Sequence, residues 1–438
     1  MSEIVRRQEE VGKALELWEG LCQGKAETTC LEFYGIPGIG KTELVKQIKG
    51  DLESMEALCA YLDFNPVRNP GCKSYSSDPK TLLDVLIHGW KLSLTDPSAA
   101  QIVDEVKRCD SKDTVVLICD ETDKIPEELD WFEEKLIWPL MLSTHCLIIW
   151  VGQRQKQWDV RHSELKLKVL SSPVEPIPDN AVIKTCLAAR GVPSDEIDRV
   201  LVPWIRDITF GHPLAEQVAA STYCLHRGKT EEELKKEIAE AIEEQVIQNY
   251  VFQGNKLSAS DLYFLALMRT ANIELFRTKS SPSSVTSSPH PLGFRELKST
   301  TLSGEPPRGF CQETISRWLS KFYSVVRPDE YVNAQDILIR GCQELASKSI
   351  ERRDMTSWRK YAVEQLYHSA CANTGQPGRY DLVKTITDCL SELNNSALLA
   401  DSDKDDWKSK LESLIRGDKE LYELIGSDAL DKIISAIR

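Results

Sequence analysis

Apolar residues recur at two different periods along this chain, and the changes between them mark out its parts. Val11, Leu15, Trp18 and Leu21 fall at helical spacing, so a helix leads into the first strand, Cys30-Leu31-Glu32-Phe33-Tyr34. Leu44, Ile48 and Leu52 stripe a second helix. Leu58 to Phe64 alternates as a strand and ends in the turn-rich run Asn65-Pro66-Val67-Arg68-Asn69-Pro70-Gly71. Two helices are expected over 80–108. Thr114 to Asp120 and Cys146 to Val151 are uninterrupted apolar strands, the kind that parallel sheets bury on both faces. A fifth strand is expected at Leu165 to Leu170, with Ser171-Ser172-Pro173 and Pro176-Ile177-Pro178 breaking the pattern beyond it. Residues 1–178 therefore read as an α/β unit with a parallel sheet and helices on both faces.

The pattern then becomes helical. Residues 179–254 carry Leu234, Ile238, Ile242 and Val246 along a charged helix, and Gly191-Val192-Pro193-Ser194 separates earlier ones. Residues 255–350 suggest a winged helix. Ser258 and Asp261 open one helix in capping-box style, Gln312 to Lys321 form another, and Val325-Val326 is expected to pair with Tyr331-Val332 as a hairpin wing. The Ser-, Pro- and Thr-rich stretch 279–308 lacks the apolar content to order itself and is expected to be a flexible insertion. Residues 351–438 form an all-α segment, with helices expected at about 356–372, 380–393, 404–416 and 419–437.

Composition narrows the classes. With 54 basic and 68 acidic residues in 438, the formal charge is −14, which disfavours contact with phosphate backbones and anionic membranes. Thirteen cysteines lie scattered without a C-x-x-C pair, which suits buried thiols in a reducing compartment. The seven histidines show no metal-ligand spacing, no apolar run approaches a membrane span, and the N-terminus lacks a signal-peptide core. A cytoplasmic protein without membrane contact is the expectation.

Candidate chemistry centres on Gly35-Ile36-Pro37-Gly38-Ile39-Gly40-Lys41-Thr42, a complete G-x-x-x-x-G-K-[ST] loop between a strand and a helix. Its glycines let backbone amides, continuing to Glu43 at the helix start, approach phosphate oxygens. Lys41 would reach the outer phosphates of ATP or ADP, and Thr42 would join the coordination of Mg²⁺. Asp120 and Glu121 end the third strand. We assign Asp120 to the magnesium shell and Glu121 to the attacking water. Arg154, after the fourth strand, stands either as a sensor of the terminal phosphate or as an exposed loop charge.

Taken together these motifs resemble the STAND class of P-loop signal-transduction ATPases, the AAA+-related group of NB-ARC and NACHT switches. Ile4-Val5-Arg6-Arg7-x-x-Glu10 resembles the adenine-side motif, with Arg6 in place of a glycine. Gly211-His212-Pro213-Leu214-Ala215 resembles the G-x-P-L-A motif of the helical lid. The resemblance implies nucleotide contacts from Val5, Arg7 and Pro213 and a sensor role for Arg154. In Ala334-Gln335-Asp336, glutamine replaces the histidine of a related motif. It also implies an ATP/ADP-controlled switch with slow hydrolysis, nucleotide-dependent self-association, and effector or sensor functions on a partner protein. Two alternatives stand beside it. One is an initiator-like ATPase binding DNA through Gln312, Ser316 and Arg317, which the acidic balance disfavours; the other is a scaffold that binds nucleotide without hydrolysing it.

Overall fold

The computed structural model describes residues 7–75, 79–109, 114–126, 129–153, 155–156, 158, 163–177, 180–194, 202–251, 263–264, 266–268 and 310–438. They fall into two compact units, one within the first 251 residues and one that includes 315–438.

The first unit is built on a five-stranded parallel sheet of β1 (Cys30–Tyr34), β2 (Cys59–Asp63), β3 (Val115–Asp120), β4 (Cys146–Gly152) and β5 (Val169–Pro173), in the order β2-β3-β4-β1-β5. Every residue of β1, β3 and β4 is buried, as their unbroken apolar sequences require. Around the sheet lie α1 (Gln8–Cys22), α2 (Lys41–Ser54), α3 (Pro79–Trp90), α4 (Ala99–Arg108) and a helical run, α5, through Asp130–Phe132, Glu133–Ile137 and Trp138–Met141. Ser98 and Gln101 close a reciprocal capping box that fixes the start of α4. Two tryptophans tie helices to the sheet: Trp18 Nε1 donates to the Thr114 carbonyl at 3.0 Å and Trp90 Nε1 to Val116 at 2.8 Å. This is the α/β P-loop core followed by helical segments that the sequence pattern implies.

Helix α3 reaches β2 through Gly89. A Cβ built there would lie 2.7 Å from the Ala60 Cα and 2.8 Å from the Cys59 carbonyl. Gly89→Ala is therefore expected to cost about 1–3 kcal/mol, because backbone rather than a movable side chain stands in the way. Gly50→Ala, on an exposed turn of α2 with nothing within 4 Å, is expected to gain up to about 1 kcal/mol. Denaturant unfolding of both variants against the parent checks the pair.

Strand β5 begins later than its hydrophobicity suggests: Ser163–Lys166 is a short helix, α6, and the strand includes Ser171, Ser172 and Pro173. An edge strand tolerates proline, and the Ser171 hydroxyl is used, donating to the buried Glu32 carboxylate of β1 at 2.6 Å. Beyond the sheet follow α7 (Ala181–Ala188), α8 (Val202–Thr209), α9 (Pro213–Leu225) and α10 (Glu231–Ile242), which continues as a π-helical segment, Glu243–Val251.

The second unit is helical in its described residues: α11 (Phe310–Val326), α12 (Pro328–Glu351), α13 (Met355–Gly375), α14 (Leu382–Asn395), α15 (Asp401–Gly417) and α16 (Lys419–Ile437). The hairpin wing expected at Val325–Val332 is not there. Pro328 occupies the first turn of α12 with Asp329 and Glu330 behind it, a helix start that both proline and the helix dipole favour. Tyr331, Leu338, Cys342, Leu345 and Ile350 then continue at helical spacing on its buried side. Residues Ser258 and Asp261, and the stretch 279–308, lie outside the described residues. The boundary expected at 350 falls inside this unit, where α12 and α13 pack along one another. Gln335 is buried and bonded to His368 Nδ1 at 2.8 Å, while Asp336 accepts from Tyr380 and pairs with Arg379.

Candidate functional site

The loop 35–40 joins β1 to α2 at the carboxyl ends of the strands, the edge where open parallel sheets take ligands. Gly38 (φ +77°) and Gly40 (φ +94°) hold the left-handed backbone that lets the loop curl. Gly35 lies so close to β5 that a Cβ would meet the Val174 carbonyl at 2.8 Å. Ile36 and Ile39 are buried and anchor the loop from beneath. The first bond of α2 runs from Leu44 N–H to the Gly40 carbonyl, so the amides of Thr42 and Glu43 precede the helical ladder at its positive end. The Glu43 side chain pairs with Lys46 at the surface, 2.8 Å away. Lys41 is buried and its ammonium donates to the Gly35 and Ile36 carbonyls at 2.7 and 3.0 Å.

Strand β4 separates β1 from β3, which sets the two strand ends about 10 Å apart. Helix α2 bridges the gap: Thr42 Oγ1 donates to Asp120 Oδ2 at 2.9 Å. The same oxygen accepts from the Tyr61 hydroxyl and from Arg68 Nη2, each at 2.9 Å, and Oδ1 accepts the Glu121 amide at 2.9 Å. Burial raises the Asp120 pKa, opposed by the hydrogen bonds from Thr42 and Tyr61 and the charge of Arg68. Glu121 sits in the left-handed region (φ 59°) and its carboxylate lies 2.9 Å from Lys124 Nζ and 3.4 Å from Arg68 Nη1. At Arg68, burial works against the charge, but the hydrogen bond to Asp63 and the surrounding carboxylates outweigh it and raise the pKa.

A hydroxyl and a carboxylate oxygen side by side, next to a glycine-rich loop at a helix start, form the donor set that Mg²⁺ takes together with phosphate oxygens and water. Among the described residues no group of three or more His, Cys, Asp or Glu side chains is arranged to hold a metal by itself. The residues present therefore fit a magnesium ion brought by a nucleotide rather than one held in a protein cage.

Two further residues reach the loop from outside. Arg7, just before α1, donates to the Ile39 carbonyl at 2.8 Å and pairs with Glu10 at 3.0 Å. Its guanidinium thus braces the loop. His212 comes from the turn between α8 and α9: its Nδ1 accepts the Ala215 amide at 3.2 Å, capping α9, and its Nε2 lies 2.8 Å from the Pro37 carbonyl. Pro213 is buried at the first position of α9 beside it. Val5 and Arg154 lie outside the described residues. Composition and motif reading missed Tyr61, Asp63 and Arg68. The tyrosine among the apolar residues of β2, the aspartate that ends that strand and the lone arginine of the turn at 65–71 were the available signals.

No family model matches this chain, and no curated protein matches it. Among solved structures it is similar to PCH-2 of C. elegans, with 14% identity and a TM-score of 0.36 over 54% of this chain and 68% of that one. It is similar also to the Aeropyrum pernix ORC2 protein in its ADPNP-ADP complexes, with 16% identity and a TM-score of 0.35 over 74% and 94%. A DNA replication initiation factor gives 13% identity and a TM-score of 0.32 over 74% and 98%. With all three TM-scores below 0.5, the reading of this chain rests on its own loop and strand ends.

Proposed function

We propose that the first unit binds ATP and ADP with Mg²⁺ and hydrolyses ATP slowly, and that the nucleotide acts as a switch. The observation that carries the reading is the 2.9 Å bond between Thr42 of the phosphate loop and the buried Asp120 at the end of β3. It joins the two motifs, 78 residues apart, into one site. Loop amides from Gly38 to Glu43 and the Lys41 ammonium hold the phosphates, and Thr42 and Asp120 hold the metal. Bound there, Mg²⁺ supplies charge neutralisation at the phosphate oxygens. Glu121, next in chain, orients and deprotonates water.

The switch follows from how the loop is tied. Pro37 and Gly38 touch His212, so a phosphate that moves the loop acts directly on the start of α9. A ligand shifts such an equilibrium only by its differential affinity for the two arrangements, and about 5.5 kcal/mol swings 1:99 to 99:1. The γ-phosphate is the group by which ATP and ADP differ there. Nucleotide-dependent self-association, engagement of a partner protein and a STAND-like cytoplasmic signalling role extend this reading. By the resemblance, Val5 contacts the nucleotide on the adenine side, Pro213 packs on the nucleotide, and Arg154 senses the terminal phosphate. The DNA-binding alternative, built on a core, lid and winged helix with Gln312, Ser316 and Arg317 as contacts, lacks the hairpin wing at 325–332, where α11 ends and α12 begins, and among the described residues no helix is long and apolar enough to cross a membrane.

Glu121→Gln is expected to lower ATP turnover by about 100-fold or more while ATP affinity stays within a few-fold. Single-turnover hydrolysis beside a binding titration checks this. Equal turnover in both proteins removes Glu121 from the reaction, and no turnover in either favours the non-hydrolysing scaffold.

A further inference from the structure

We infer that Arg68 competes with Mg²⁺ for the Asp120 carboxylate, and that with the metal in place Arg68 keeps its Asp63 contact, gives up Asp120 and loosens its hold on Glu121. The inference rests on the nucleotide-binding reading and adds to it a positioning residue outside both motifs.

The crowding at Asp120 falls on one oxygen. A carboxylate oxygen offers about two acceptor sites, and Oδ2 already takes three donors, Thr42 Oγ1, Tyr61 OH and Arg68 Nη2, while Oδ1 takes the Glu121 amide. A cation reaching Oδ2 must replace a donor. Tyr61 is held in β2, and Thr42 stands in the first turn of α2 and itself belongs to the metal site. Arg68 differs from both: it lies in the loop after β2, its side chain is 35% exposed, and it carries a positive charge that a divalent ion repels.

Arg68 also has a second anchor that it keeps. Its Nε donates to Asp63 Oδ2 at 2.8 Å and its Nη2 to Asp63 Oδ1 at 3.0 Å, a two-point contact that survives when the Asp120 bond is given up. Asp63 and Asp120 are direct neighbours across the β2–β3 ladder, so the movement is short. Because Arg68 Nη1 also reaches Glu121 Oε1 at 3.4 Å, leaving Asp120 releases that oxygen of the carboxylate assigned to the attacking water, while Lys124 keeps its pair with Oε2 at 2.9 Å. Metal arrival and readiness for hydrolysis are thereby linked through one guanidinium.

The test uses the full chain and ADP, which avoids dependence on turnover. Thermal midpoint and fluorescent-ADP binding are followed while Mg²⁺ is titrated, with an EDTA arm. For Arg68→Gln, the Mg²⁺ concentration giving half of the full effect is expected to fall about tenfold, since one charge-assisted bond no longer competes. ADP affinity in EDTA is expected to stay within about twofold of the parent. Arg68→Lys, which keeps the charge but not the fork, is expected to fall between the two and covers the case in which glutamine does not fold. An unchanged or higher Mg²⁺ requirement in the variants overturns the inference. So does a loss of ADP affinity that is equal with and without Mg²⁺, which would make Arg68 a phosphate ligand. If the parent responds to neither ADP nor Mg²⁺, the nucleotide reading falls and this inference with it; a responding parent beside insensitive variants removes the inference alone.

Discussion

Lys41→Ala is expected to weaken ATP and ADP binding by about 100-fold or more while the protein remains folded. The ammonium is buried and donates to the Gly35 and Ile36 carbonyls, both on the loop it serves. Swinging from those carbonyls to phosphate oxygens replaces two neutral acceptors with charged ones at the same lip of the sheet. Truncating one partner of such a charged contact costs about 2–5 kcal/mol, and every 1.4 kcal/mol is about tenfold in affinity. The fold loses far less, about 1 kcal/mol, because burying the ammonium costs much of what its two hydrogen bonds return. Calorimetric titration with each nucleotide, beside thermal unfolding without it, separates the two effects. Affinity within twofold of the parent would overturn the assignment of this loop to phosphate.

The core of this arrangement is legible in the residues themselves. Strands β1, β3 and β4 announce themselves as apolar runs because both faces of a parallel sheet are covered, and the glycine pattern of the loop has few other uses. Edge strand β5 was harder to read, since Ser171 and Ser172 look like a turn until the buried Glu32 supplies the partner for a hydroxyl. The start of α12 was misread because Val325-Val326 and Tyr331-Val332 carry strand-like residues, whereas Pro328 and the two acids behind it decide for helix. The members of the site lost on the page of sequence are those whose meaning depends on pairing. Arg68 is one charge in a turn until β2 and β3 set Asp63 beside Asp120. Arg7, expected at the adenine, is bonded to the loop's own backbone at Ile39.

His212 supplies the second large effect, and its sign follows from its two bonds. Because Nδ1 accepts the Ala215 amide, the ring proton resides on Nε2, which donates to the Pro37 carbonyl. A second proton would have to sit on Nδ1, facing an N–H at the positive end of α9 and close to Lys41. Burial accordingly lowers the pKa to about 4, with the Pro37 bond opposing and Lys41 assisting. In the unfolded chain the same group titrates near about 6.5, so between these values the unfolded state binds the extra proton. The contribution of His212 to stability is complete above about pH 6.5 and is lost as pH falls towards 4, about 3 kcal/mol in all. Asp120 and Glu32, whose pKa values burial raises, act in the opposite direction over the acid range. The effect must therefore be read as a difference between two proteins. His212→Asn keeps a side-chain acceptor for the Ala215 amide but does not titrate. Denaturant unfolding of parent and variant from pH 7.5 to 4.5 is expected to show the parent losing stability faster by about 2–3 kcal/mol across that range; parallel profiles would overturn the assignment. The same ring connects stability to the proposed switch, since one nitrogen caps α9 and the other holds the Pro37 carbonyl of the loop.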